Sequence, residues 1–114
     1  MGYLFYGDNA APIRVPDRLL AHLKVVITTK LRRRESFTLS CLHDSEAPTG
    51  RSALWLQEAI PLRFVFDNAE AEELDPHLLR EFAEQATMSG GLTVNLQEWP
   101  DDLPEVEREL SPVA

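Results

Sequence analysis

The chain has 114 residues, 44% of them hydrophobic, and 11 Lys/Arg against 19 Asp/Glu give a formal net charge of −8. That length supports one core, with roughly two-thirds of the unfolded surface buried, and that composition excludes an intrinsically disordered chain. No stretch approaches the ~20 apolar residues of a membrane span, and a single cysteine, Cys41, excludes an intrachain disulfide and gives no support to a structural zinc site. The N-terminal Met1-Gly2-Tyr3-Leu4-Phe5-Tyr6 lacks the positive n-region of a secretory signal. Tyr6 stands where a myristoylation motif wants Ser or Thr. A cytoplasmic protein is expected. Its charge is lopsided: residues 1–43 are net +4 and residues 44–114 net −12.

Tyr3-Leu4-Phe5-Tyr6 reads as a short strand, and Gly7-Asp8-Asn9 supplies turn chemistry. Ile13-Arg14-Val15 returns as a second arm. Pro12 and Pro16 beside it cannot donate ladder hydrogen bonds, which predicts a short edge strand. Asp17 then caps a helix over about 17–34, or complements its dipole from inside the first turn. Leu19, Leu20, Leu23, Val26, Ile27, Lys30 and Leu31 make one apolar face. Ser36 to Leu42 alternates, with Phe37, Leu39 and Cys41 on one face of a half-buried strand. Residues 44–50 read as a loop. Ser52 to Leu56 is apolar on both faces and predicts a central strand with Trp55 in the core. After Pro61, Leu62 to Phe66 alternates again.

Asp67 to Glu73 is an acidic connector. Asp75-Pro76 opens a second helix with a cap residue and a proline at its first position, and Gly90-Gly91 close it. Leu92, Val94 and Leu96 face one way in a last strand. The order β-β-α-β-β-β-α-β predicts an α+β fold: a mainly antiparallel sheet with two helices packed on one face. Residues 1–97 form the expected domain. Residues 98–114 form an acidic, proline-punctuated tail, in which Leu103, Val106 and Leu110 share a face of one or two helical turns.

No complete catalytic motif is present, and no cofactor or metal is called for. The cluster Lys30, Arg32, Arg33 and Arg34, with Arg51, is a candidate nucleic-acid grip; the ordinary alternative is a solvated helix end that complements the dipole. His22, His43 and His77 lack metal-ligand spacing. Cys41 and His43 fall on one side of a strand as a nucleophile–base pair on paper, but Phe37 and Leu39 share that side, so a buried, inert thiol is expected. Ser52 precedes a strand, where a phosphate loop or nucleophile elbow precedes a helix. Asp101-Asp102 and the group Glu70, Glu72 and Glu73 read as solubilising charge. Trp99, with Leu103, Val106 and Leu110, either pins the tail to the domain or anchors a protein partner.

Several segments occur here together: Arg18-Leu19-Leu20-Ala21-His22-Leu23, Lys30-Leu31-Arg32-Arg33 with Glu35-Ser36-Phe37, Gly50-Arg51-Ser52 before Trp55-Leu56, Ile60-Pro61-Leu62 before Phe64 and Phe66, and Ser89-Gly90-Gly91-Leu92. The combination resembles a family of small actinobacterial proteins of about a hundred residues, commonly labelled "ATP-dependent DNA ligase". The resemblance covers residues 1–96. Against the family pattern, Arg34 stands at a usual glycine, Cys41 at a usual tryptophan, and Gln57-Glu58-Ala59 at a usual His-Pro-Ser. Ligase chemistry needs K-x-D-G-x-R around an adenylated lysine. Lys24 is followed by Val-Val-Ile-Thr and Lys30 by Leu-Arg-Arg-Arg, so neither fits. The expectation is a non-enzymatic interaction module whose partner is a protein, engaged through a sheet edge or the tail. An accessory protein of DNA or RNA using the basic end of helix 1 is the second reading.

Overall fold

The computed structural model describes residues 1–8, 11–43 and 50–99. Residues 44–49 of the predicted loop 44–50, Asp101-Asp102, and the tail positions Leu103, Val106 and Leu110 lie outside the described residues. The elements are β1 (Gly2–Tyr6), β2 (Ile13–Val15), α1 (Asp17–Arg32), β3 (Phe37–Leu42), β4 (Arg51–Leu56), β5 (Leu62–Val65), α2 (Pro76–Thr87) and β6 (Leu92–Asn95), followed by a 3-10 turn over Leu96–Glu98. The α+β class and the element order are as expected. The strands, however, divide into two three-stranded sheets, β2-β1-β5 and β4-β3-β6. All pairings are antiparallel except that of β3 with β6, which is parallel. A parallel pair needs a crossover, and α2 supplies it.

Helix α1 organises the core. Leu19, Leu20, Leu23, Val26 and Ile27 are buried and join Leu4 and Val15 of the first sheet, Phe37, Leu39, Cys41, Leu56, Leu92 and Val94 of the second, and Phe82 and Ala86 of α2 in one cluster. Each such side chain contributes about 1.5–3 kcal/mol by leaving water. Both sheets therefore bury one face and leave the other to solvent. Helix α1 lies against β1 and α2, and α2 lies against β3 and β6.

Three polar side chains of α1 are also buried, Asp17, His22 and Lys30. Pro16 occupies the N-cap, with no side-chain capping bond, and Asp17 follows it in the first turn. Its carboxylate reaches across the fold to accept the backbone N–H of Asp67 at 3.1 Å and of Asn68 at 3.0 Å, just beyond β5. The His22 Nε2 accepts the N–H of Asp75 at 2.9 Å, and its Nδ1 lies 2.7 Å from the Arg18 carbonyl. An amide can only donate, so Nε2 carries no proton and Nδ1–H donates to Arg18: a neutral imidazole. The acidic connector is thus tied to α1 at both ends. Asp75 in turn caps α2, accepting the His77 N–H at 2.9 Å, with Pro76 at the first helical position as predicted.

Helix α1 stops at Arg32, two residues short of expectation. Arg34 adopts φ +60°, and the N–H groups of Arg33 and Glu35 both return to the Lys30 carbonyl. A left-handed residue ends a helix, and glycine is the residue that adopts it without steric cost. Helix α2 also ends early, at Thr87, and Gly91, at φ +74°, turns the chain into β6. A Cβ at Gly91 would sit 2.3 Å from the Thr38 carbonyl oxygen, so only glycine lets β6 start this close to β3.

Two stability changes follow. Asp17→Ala strands the Asp67 and Asn68 amides and is expected to cost about 1–3 kcal/mol; an unchanged urea midpoint would show that the latch contributes nothing. Arg34→Gly relieves roughly 1–2 kcal/mol of left-handed strain against about 0.5–1 kcal/mol of added chain entropy. It is expected to raise the midpoint slightly, and a clear drop would contradict that balance.

Candidate interaction surfaces

Among the described residues, none of the six strands contains Asp or Glu; their only charged residues are Arg14, Arg51 and Arg63. In a chain of net charge −8 this leaves two solvent-facing sheet surfaces without a carboxylate of their own. On the first sheet, Tyr3 and Phe5 lie with ring centroids 6.3 Å apart, and the Arg63 guanidinium sits 5.4 Å from the Phe5 ring, its cross-strand partner. On the second, Trp55 pairs with Thr38, Ala53 with Ser40 and Arg51 with Leu42. Trp55 is 59% exposed, the largest aromatic among the exposed hydrophobic side chains. This corrects the expectation of a core tryptophan in a central strand. Strand β4 is an edge strand, and strand parity sends Leu54 and Leu56 inward and Trp55 outward.

The free edge of β4 has a defined polarity. The His43 N–H donates to the Gly50 carbonyl at 2.8 Å, so alternate pairs (Cys41–Ser52, Leu39–Leu54, Phe37–Leu56) carry the ladder bonds. The backbone groups of Arg51, Ala53 and Trp55 therefore point away from β3. The Tyr6 hydroxyl of the first sheet donates to the Trp55 carbonyl, which fastens the two sheets together beside the exposed indole. Among the described residues, Arg51 and Ala53 keep the open part of the edge.

The basic cluster is dispersed. Lys30 is buried and its Nζ lies 3.0 Å from Glu35 Oε1. Arg34 reaches Glu58 at 3.8 Å on the surface, a contact of little energetic weight. Arg32 and Arg33 are exposed. Arg51 stands at the far end of β4, separated from the α1 terminus by the length of β3, about 17 Å. The structure instead brings Arg33 and Lys30 to Arg80 of α2, across a groove of about 300 Å³ floored by Val25, Leu79 and Ala83. Arg80 was missed in the sequence; its signal is its position one residue outside the apolar stripe of α2. A second groove, of about 310 Å³, lies beside the latched connector, between Ala21, Lys24 and Val25 of α1 and Phe66, Glu70 and Leu74.

Cys41 is fully buried, and desolvation pushes its thiol up to about 11. His43 pairs with Ser52, not Cys41, its Nε2 2.6 Å from the Ser52 Oγ. Ser52 lies directly opposite Cys41 in the ladder, so His43, two residues on along the same face, is its diagonal neighbour. The Gln97 amide donates to the His43 carbonyl at 2.9 Å. These bonds tie together the ends of β3, β4 and β6. No group of three or more His, Cys, Asp or Glu side chains is arranged for a metal ion among the described residues. Trp99 is half-buried, its ring centroid 6.4 Å from those of His22 and Phe82, with the Arg18 guanidinium 5.4 Å away. It fixes the end of the domain to the two helices. No helix among the described residues is long and apolar enough to cross a membrane.

A family model described as a domain of unknown function (DUF7882) matches residues 1–97, and the chain belongs to that family. No curated protein and no solved structure matches it.

The raised thiol sets a pH window. A proton held in the folded state to about pH 11 and released in the unfolded chain near 9.0 stabilises fully below pH 9, and that stability is lost as pH rises through the folded value. The stability advantage of the native chain over Cys41→Ala is expected to shrink by about 2–3 kcal/mol between pH 9 and 11. A constant difference would place the thiol in water, as would rapid alkylation of the folded protein at pH 7.

Proposed function

We propose that this family member is a non-enzymatic cytoplasmic interaction module that receives a protein partner on the open face of the β4-β3-β6 sheet, with Trp55 as the anchor. One observation carries the reading: among the described residues an acidic protein keeps Asp and Glu out of its strands and leaves Trp55, Leu42 and Arg51 exposed there. Interface cores have this composition, with aromatic residues and Arg enriched and Lys, Glu and Asp depleted. The open backbone groups of Arg51 and Ala53 add a short stretch of edge on which an extended segment can lengthen its contact. Tyr6 limits that stretch by occupying the Trp55 carbonyl.

The nucleic-acid reading has less support. Of its five residues, Lys30 is committed to Glu35, Arg34 faces Glu58, and Arg51 lies on a different face. A net charge of −8 also repels a polyanion at long range. The likeness to small actinobacterial chains labelled as DNA ligases is kept in this reading for its source and size alone.

Ligands selected against the full chain from a displayed library of extended peptides provide the test. Trp55→Ala and Arg51→Glu are expected to weaken them at least about tenfold without moving the melting temperature, since both side chains are exposed. Ligands indifferent to both substitutions would sink the reading. Salt-sensitive binding of duplex or single-stranded DNA, lost with Arg32, Arg33 and Arg34 changed to Ala, would replace it with the nucleic-acid one.

A further inference from the structure

We infer that the groove between α1 and α2 is the docking site of the chain's own acidic segment, residues 101–110. Three separate observations converge on this occupant. The first is charge. Lys30, Arg33 and Arg80 stand around the groove, and its one carboxylate, Glu35, is neutralised by Lys30 at 3.0 Å. No carboxylate among the described residues forms an ion pair with Arg33 or Arg80. The segment carries Asp101, Asp102, Glu105, Glu107 and Glu109 against a single Arg108. Arg33 and Arg80 are thus two cations with no carboxylate partner among the described residues, and the segment is a stretch where anions are in excess.

The second is shape. Val25, Leu79 and Ala83 make an apolar floor between the cations, and Leu103, Val106 and Leu110 recur at the i, i+3, i+7 spacing of a single helical stripe. An apolar stripe flanked by carboxylates is the complement of an apolar floor flanked by arginines.

The third is where the described chain ends. Trp99 is fastened over Arg18, His22 and Phe82. Arg18, His22, Val25, Thr29 and Arg33 follow one another at steps of three or four along α1, so they form one stripe of that helix. The chain therefore departs from one end of the stripe whose other end lines the groove. From His22 to Arg33 is about 17 Å along the axis. Ten residues beyond Trp99 reach about 33 Å extended, enough to span the groove, and roughly 15 Å as helix, enough to cover its nearer part. Tethering of this kind confers an effective concentration in the millimolar range. Weak contacts therefore suffice, and an external acidic partner must outcompete the segment.

The full chain labelled with ¹⁵N and carrying a nitroxide at Glu107→Cys tests this. Cys41 is buried and keeps its proton, so the tag goes to position 107. Amide signals of Thr29, Arg33, Arg80 and Ala83 are expected to lose more than half their intensity, while Ala53 and Trp55 keep theirs. Arg33→Glu with Arg80→Glu is expected to restore the groove signals, as is Glu105→Lys with Glu109→Lys, which leaves the folded domain untouched. Full groove intensity in the tagged native sequence would overturn the assignment. A loss that survives both charge reversals would do the same. A loss seen in untagged ¹⁵N chain mixed with tagged unlabelled chain would assign the contact to a second copy and overturn the intramolecular one.

Discussion

The fold depends on two polar side chains held inside it by the same helix. Asp17 and His22 are buried on α1, where an unpaired carboxylate or imidazole is costly, and each is satisfied by backbone amides of one distant segment. Their bonds require that segment to leave β5 beside the start of α1 and to enter α2 one turn and a half later. Once Asp75 is held there, α2 begins at a fixed point and lies over β3 and β6, so that β6 arrives parallel to β3. A connector that is acidic and polar in composition is in this way as firmly specified as a strand. The hydrophobic stripe supplies most of the energy, and the two latches supply the geometry.

Charge is sorted by element. Among the described residues, carboxylates are kept to helices, turns and connectors, and the strands carry arginine alone among charged residues. The sorting gives the molecule two kinds of surface. Open sheet faces combine Trp55, Tyr3 and Phe5 with Arg, the residues that lose least on leaving water for a protein partner. The α1–α2 groove combines cations with an apolar floor, which suits an acidic amphipathic segment. Long-range repulsion from the whole chain disfavours polyanions at either place, so each surface is selective by default.

Much of the fold was legible locally. The spacing of Leu19 to Ile27, the Asp75-Pro76 start and the alternation of Phe37, Leu39 and Cys41 each reflect a periodicity that the backbone imposes within a few residues. Trp55 was misread because Leu54, Trp55 and Leu56 are apolar on both faces, a pattern shared by a central strand and by an edge strand with one exposed aromatic. Neighbouring strands decide between the two, and among the described residues these are Phe37–Leu42 on one side and a Tyr6 hydroxyl on the other. The pairing of His43 with Ser52 in place of Cys41 likewise follows from the β3–β4 register, which a single strand's alternation does not contain.

The sequence by itself determined the α+β class, the order of elements, a buried thiol and the segregation of basic from acidic halves, because composition and local periodicity act over short stretches of chain. Tertiary structure alone decided that the strands form two sheets, that Asp17 serves a loop fifty residues away, and that Arg33 shares a groove with Arg80. It also decided that Trp55 faces outward. Each of these is a contact between segments far apart in sequence. Such contacts are set by which buried polar groups find partners and which strands find neighbours, and neither is written in the spacing of residues along one element.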